Sequence, residues 1–317
     1  MKSLMYHYVR ENSAEYPFSA HKEKNKFISE LRFLVDQGYS FYNPSDIIDH
    51  SFHPNGFRWD SKGIILTFDD GLKDHLLAAR LLRDIGISKA CFYIPTLPYA
   101  EKVVLAVHKA QFIRARYGGK SLMLLEDASK ALGLELTDHK NYEREKISFD
   151  HRYSRQVDDE NTKEFKRLIN YYGDCEIRDE LLDKIISDTG LSVSFADMYL
   201  SEDEIVEISS MGFEIGSHGC SHVPFSRLSS DEQNHELLAS KVYLERLTAK
   251  SVKSFCYPYG GKSSYNSTTI DALRRLGFES AISVDYRDIT PEDLESNPFE
   301  LPRYDCNLIE SLFLCSG

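Results

Sequence analysis

The chain has 317 residues, 42% of them hydrophobic and 12% aromatic, enough to bury a real core as one large domain or two medium ones. Its formal net charge of −12 argues against nucleic acid or anionic membrane as main partner, since both need clustered Lys and Arg. No apolar run is long enough for a bilayer-spanning helix.

The opening "MKSLMYHYVRENSAEYPF" has no apolar h-region and no small-residue cleavage site. It reads as the first strand of a mature fold, which makes the cytoplasm the expected compartment. Cys91, Cys175, Cys220, Cys256, Cys306 and Cys315 are scattered and never form C-x-x-C. In a chain of this length they read as reduced thiols, each a small apolar residue before it is a ligand.

Taken in order, "SLMYHYV" reads as a strand and "HKEKNKFISELRFLVDQGY" as a helix ending at Gly38. "GIILTF" is a short buried strand, "LKDHLLAARLLRDIG" an amphipathic helix stopping at Gly86, and "KACFYI" the next strand. Over roughly 99–198 the pattern changes to helical segments ("KVVLAVHKAQFIRARYG", "TKEFKRLINYYG", "IRDELLDKIISDTG") and a charged stretch, "TDHKNYEREKISFDHRYSRQVDDEN". That region reads as a helical insertion within a single catalytic domain spanning 1–317. It could serve as a lid, a specificity element or an oligomer contact, and its composition does not choose. Alternation then resumes. "SEDEIVEISSMG" is a helix with Ser201 and Glu204 at capping-box spacing, followed by "FEIGS" (strand), "SSDEQNHELLASKVYLERL" (helix), "VKSFCY" (strand), "STTIDALRRLG" (helix) and "FESAISV" (strand). Short strands separated by helices imply a parallel α/β sheet, and this many repeats imply a barrel.

Three clusters carry chemistry. In "TFDDG", Asp69 and Asp70 follow an apolar strand. Neighbours on an extended strand point to opposite faces, so both acids can serve one site only if Gly71 lets the backbone leave the strand. The plain alternative is that one Asp caps the helix beginning near Leu72, and taken alone that reading is slightly the stronger. In "SHGCSH", His218 and His222 stand four positions apart directly after a strand. Two imidazoles with one carboxylate supply three N/O ligands and leave a position open for water. In "SFCYPYGG", Pro258-Tyr259-Gly260-Gly261 forces a turn that can present backbone N–H groups; its plain reading is a turn with two partly buried tyrosines.

In this order the clusters resemble the polysaccharide deacetylases, the NodB-like carbohydrate esterases of family four. "NPFELPRYD" at 297–305 looks like the Leu-Pro-Arg element of one branch. The resemblance covers about two thirds of the chain and leaves out the insertion. It implies a distorted (β/α) barrel of about seven parallel strands that removes N-acetyl groups from sugars with a divalent metal, zinc foremost, with cobalt, nickel or manganese as substitutes. By the same likeness Asp69 is the general base, Asp70, His218 and His222 hold the metal, and the Tyr259 N–H helps to bind the oxyanion. The sequence departs from the common pattern at two places. Gly219 stands where many members carry Ser or Thr, and Cys256 where many carry Arg. Arg303 is then a candidate for the missing cation beside Asp69. No late Leu-x-x-His supplies a general acid. In the branch resembling poly-N-acetylglucosamine deacetylases that acid comes from the first strand, where this chain has His7, whose plain reading is a strand histidine between tyrosines.

The expected partner is an acetylated sugar of a surface glycan, such as O-antigen or capsule, or its nucleotide- or lipid-linked precursor. The alternatives are a non-catalytic carbohydrate-binding protein on an esterase scaffold, and a metal hydrolase of another acyl group.

Overall fold

The structure, a computed structural model, describes residues 1–51, 59–134, 136, 158–171 and 175–314. Its strands are β1 (Lys2–Tyr6), β2 (Val9–Arg10), β3 (Lys22–Glu23), β4 (Ser40–Tyr42), β5 (Gly63–Phe68), β6 (Cys91–Ile94), β7 (Glu214–Ser217), β8 (Ser254–Cys256), β9 (Ser280–Ile282) and β10 (Tyr304–Asp305). The main sheet runs β10-β1-β5-β6-β7-β8-β9, with β4 also paired to β5, and every ladder in it is parallel. This is the NodB-like (β/α) barrel the sequence leads one to expect. Its two ends meet through one segment: Leu301 bridges Ile282 of β9, and Tyr304 and Asp305, a few residues on, pair with β1.

Two compact units divide the chain. One comprises residues 1–11, 21–102 and 198–317 and contains the sheet; the other comprises 12–20 and 103–197. The second unit is helical, with Ala106–Tyr117, Ser121–Leu132, Glu160–Tyr171 and Cys175–Thr189 closing over Ile113, Leu125, Phe165, Leu182 and Ile185. Its first helix starts later than the periodicity of "KVVLAVHKAQFIRARYG" suggests. Lys102, at φ 57°, ends the short helix Leu97–Glu101, and helix resumes only at Ala106. Residues 137–157 of the charged stretch, and Cys315, lie outside the described residues. Among the elements that escaped the sequence pattern are β4, β10 and the helices Pro44–Ser51, Ser121–Leu132 and Pro291–Ser296. Strands of two or three residues are too short for an alternation to register.

In the sheet unit, every residue of β5 is buried, as expected when both faces of a parallel sheet are covered. The pleat sorts the side chains. Phe68 stacks on Phe92 at 4.6 Å and meets Phe27 and His75 from the flanking helices. Ile65 packs instead with Cys91, Tyr93, Cys256 and Ile282 in the barrel interior. The same alternation on β7 brings Gly216 inward, where a Cβ would stand 2.4 Å from the Tyr93 ring. Helix starts follow their sequence signals: Ser201–Glu204 and Ser229–Glu232 both form capping boxes.

Candidate active site

The candidate residues sit where the parallel strands end. Thr67 points inward and donates to the Leu4 carbonyl at 2.9 Å, so two residues later Asp69 also faces the interior. Its own N–H extends the β1–β5 ladder to the Tyr6 carbonyl at 3.0 Å. Asp70 should then face away, and it does not. Its φ of 81°, followed by Gly71 at 61°, turns the chain in the left-handed region and returns the second carboxylate to the same side. Neither acid caps the following helix: the N-cap of Asp74–Ile85 is Lys73, with no side-chain cap bond.

His218 continues the inward alternation of β7. Its Nδ1 lies 2.7 Å from the Cys256 carbonyl, and an Nδ1–H donating there fixes the tautomer and leaves the Nε2 lone pair for a ligand. Nε2 is 3.3 Å from Asp70 Oδ1, and His222 Nε2 is 3.1 Å from the same oxygen. All three residues are buried, and their ligand atoms lie within 4.8 Å of one another. Ligands about 2.0–2.1 Å from a tetrahedral zinc ion stand roughly 3.3 Å apart, so the spacing and donor set fit a divalent cation held by three protein ligands. His222 reaches this position with φ 57°, and its ring packs on that of Tyr259 at 5.2 Å.

Asp69 is engaged differently. Arg303 grips it through two hydrogen bonds, Nη1 to Oδ1 at 2.8 Å and Nη2 to Oδ2 at 2.5 Å, and Nη1 also lies 3.0 Å from Thr67 Oγ1. Both partners are fully buried. Burial alone would raise the Asp69 pKa, but the Arg303 guanidinium, helped by His218, outweighs it and holds the carboxyl at about 2. For Arg303, burial favours the neutral form and Asp69 reverses that, pushing its pKa up.

Cys256 lies 3.5 Å from Asp69 Oδ2 and 3.0 Å from Arg303 Nη2. With Asp69 and His218 it forms a second cluster of ligand-type atoms. That cluster is the poorer cation site: burial keeps the thiol protonated, and a cation there would sit against the guanidinium.

His7 follows β1 directly. Its Nε2 is 3.8 Å from Asp70 Oδ2, and its side chain keeps 36% of its exposure, so it borders the site from the open side. The His7 carbonyl lies 3.0 Å from Nε2 of buried His75. After β8, the Tyr257 hydroxyl donates to the Phe299 carbonyl at 2.9 Å, and the Gly260 N–H closes the turn on the Tyr257 carbonyl at 2.9 Å. Tyr259 sits in that turn with φ 64°. Asp70, His222 and Tyr259 thus all adopt a conformation that side chains other than glycine rarely take, and strain of this kind concentrates at functional sites.

The structure brings Asp69, Asp70, His218, His222 and Arg303 together from β5, β7 and the segment before β10, with His7 at their edge. Sequence reasoning missed Glu236, whose carboxylate holds the loop between the two histidines, and His75. Neither belongs to a motif: Glu236 reaches the histidine loop from the helix Ser230–Thr248, and His75 lies on the helix Asp74–Ile85 against the His7 carbonyl.

Residues 181–281 match the family model described as polysaccharide deacetylase. Over that segment the chain is similar to the polysaccharide deacetylases. The matched segment contains both histidines and the Tyr259 turn; Asp69, Asp70 and Arg303 join it through the fold. A protein of Bacillus subtilis (strain 168), named "Putative polysaccharide deacetylase YxkH", is 24% identical over 87 residues, which is 27% of this chain. The match spans only 30% of that relative's length.

Solved structures share this fold over nearly the whole chain. The Streptococcus pyogenes deacetylase PplD, in complex with acetate, is 17% identical with a TM-score of 0.60, covering 99% of this chain and 96% of that one. IcaB from Ammonifex degensii is 14% identical with a TM-score of 0.55, covering 98% and 94%. BC0361, a polysaccharide deacetylase from Bacillus cereus, is 16% identical with a TM-score of 0.55, covering 96% of this chain and 64% of that one. At these identities the likeness establishes the fold.

Proposed function

We propose that the protein is a metal-dependent carbohydrate N-deacetylase, hydrolysing the acetamide of a sugar to a free amine and acetate. The observation that carries this reading is the pairing of two adjacent carboxylates in different states. Asp70 meets two imidazoles, while Asp69 is held ionised by Arg303.

Asp70, His218 and His222 would hold the cation, which when bound supplies Lewis acidity toward the amide carbonyl and lowers the pKa of water. Asp69 takes a proton from the attacking water as its oxygen bonds to the carbonyl carbon. Arg303 fixes the carboxylate's orientation for that transfer. The Tyr259 N–H donates to the oxyanion that develops. His7 gives a proton to the nitrogen as the C–N bond breaks, so that amine and acetate leave with charge balanced.

The preferred cation is zinc, with cobalt, nickel or manganese as substitutes. Cys91, Cys220, Cys256 and Cys306 are free thiols, which supports a reducing compartment such as the cytoplasm. Among the described residues no helix is long and apolar enough to cross a membrane. Nucleotide-linked or lipid-linked sugars, or a growing surface glycan of O-antigen or capsule type, are the substrates we favour. The helical unit is our candidate for an oligomer contact. Of the two departures from the family pattern, Gly219 and Cys256, the second is offset by Arg303, which supplies a cation to Asp69 from another segment and so weighs against a non-catalytic scaffold.

Purified protein, chelated and then resupplied with zinc or cobalt, should release acetate from one class within a panel of acetylated nucleotide sugars and chito-oligosaccharides. Full metal occupancy with no acetate from any of them, but measurable sugar binding, would favour the carbohydrate-binding alternative.

A further inference from the structure

We propose that Glu236 is a positioning residue that sets His218 and His222 for cation binding, an inference that rests on the metal site described above. Glu236 projects from the helix Ser230–Thr248, and its carboxylate gathers three donors from one loop. Oε2 accepts the backbone N–H of Cys220 at 2.6 Å and of Ser221 at 3.0 Å, while Oε1 accepts the Ser221 hydroxyl at 2.6 Å. Cys220 and Ser221 lie midway between the two histidines. One helical turn further along, Ser240 Oγ stands 2.7 Å from Ser217 Oγ, which in turn accepts the Gly219 N–H at 3.2 Å. Residues 236 and 240 share a helix face. That face therefore grips the chain from the end of β7 to the residue before His222.

The loop needs such a grip. Gly219 and His222 both have left-handed backbones, at φ 74° and 57°, and for a histidine this persists only where the surroundings over-determine it. A carboxylate accepting two successive N–H groups forms charge-assisted bonds, roughly twice as strong as neutral ones. It holds the 219–220 and 220–221 peptide planes, and with the Ser221 hydroxyl fixes the residue that precedes His222, and so directs the His222 side chain toward Asp70. Gly219 also has a steric reason to be glycine, since a Cβ there would stand 3.1 Å from Glu236 Oε2.

The test is cobalt binding, read from the d–d absorption during titration, with zinc competition for absolute affinity. Wild type should bind, and Asp70→Asn should lose most of that binding. Glu236→Ala should bind about 10–100-fold more weakly, the range expected when a group supporting a metal ligand is removed. Glu236→Gln keeps an acceptor for the two N–H groups and should recover most of the affinity. Glu236→Met keeps the side-chain volume, removes only the acceptors, and carries the comparison should Glu236→Ala not fold. Glu232→Ala breaks the cap of the same helix, so it should lower Tm and leave cobalt affinity unchanged. Wild-type affinity in Glu236→Ala or Glu236→Met, with Asp70→Asn impaired, would sink the positioning role and leave the metal site standing. Equal weakening by Glu232→Ala would reduce the effect to general destabilisation. Absence of cobalt and zinc binding in the wild type would overturn both readings together.

Discussion

Arg303 and Asp69 form a two-bonded ion pair buried in the barrel interior, joining positions 234 residues apart. The guanidinium enters from the segment just before β10, and the carboxylate from the end of β5. Such a pair contributes little net stability against an apolar substitute, but removing one partner strands the other as a buried charge. Arg303→Met should therefore destabilise the protein by about 3–5 kcal/mol in urea titrations. It should also lower kcat at temperatures where the variant is folded. Unchanged stability would mean that Asp69 finds another partner or water.

Asp69→Asn keeps the shape of the site and removes the proton acceptor. We expect cobalt and zinc affinities close to wild type and a kcat lower by about 10²–10⁴-fold, the usual contribution of a general base. Undiminished turnover would exclude Asp69 from that role.

His218→Ala and His222→Ala should each lower the metal content of purified protein, measured by atomic emission after dialysis against trace zinc. His218 should be the more damaging, because its Nδ1 is also tied to the Cys256 carbonyl. A variant that retains full occupancy would contradict its assignment as a ligand.

His7 borders the site without sharing the Asp70 Oδ1 contact made by the two other imidazoles. His7→Ala should lower kcat by about 10²-fold or more while changing KM much less. If KM moves and kcat does not, His7 binds substrate and the acid lies elsewhere.

His75 offers a test read from stability, not from metal binding. It is fully buried between Phe68, Phe92 and the His7 carbonyl, and burial pushes its pKa down from 6.5 to about 4. The unfolded chain binds a proton on this imidazole below about pH 6.5, whereas the folded protein does so only near 4. Its contribution is therefore complete above the unfolded value and is lost as pH falls from 6.5 toward 4, about 3 kcal/mol over that window. In His75→Gln, which can still donate to the His7 carbonyl, unfolding free energy should fall less steeply between pH 7 and 4. Parallel curves for the two proteins would remove His75 as the source of acid sensitivity.

Local order carried much of this site. Asp69, Asp70, His218 and His222 could be singled out because each lies within a few residues of a buried strand, and strand ends in a parallel barrel converge on one face. The capping pair at Ser201 was legible for the same reason, since donor and acceptor are only three positions apart. The capping alternative for the two aspartates could not be eliminated from sequence. It turned on whether Asp70 takes a positive φ, which depends on what packs around it.

What the amino-acid order determined was the alternation of strand and helix and the chemistry available at each strand end. Periodicity and motif spacing are properties of neighbours, and a linear chain displays neighbours directly. What only the tertiary structure decided was which distant groups complete the site. Arg303 is a candidate partner of Asp69 from its motif, and the fold makes the contact; that Glu236 holds the histidine loop from a helix, and that residues 12–20 group with 103–197 rather than with the sheet, had no signal in the sequence. Those relations arise from closure of the sheet and packing of its helices, where proximity in space no longer follows position along the chain.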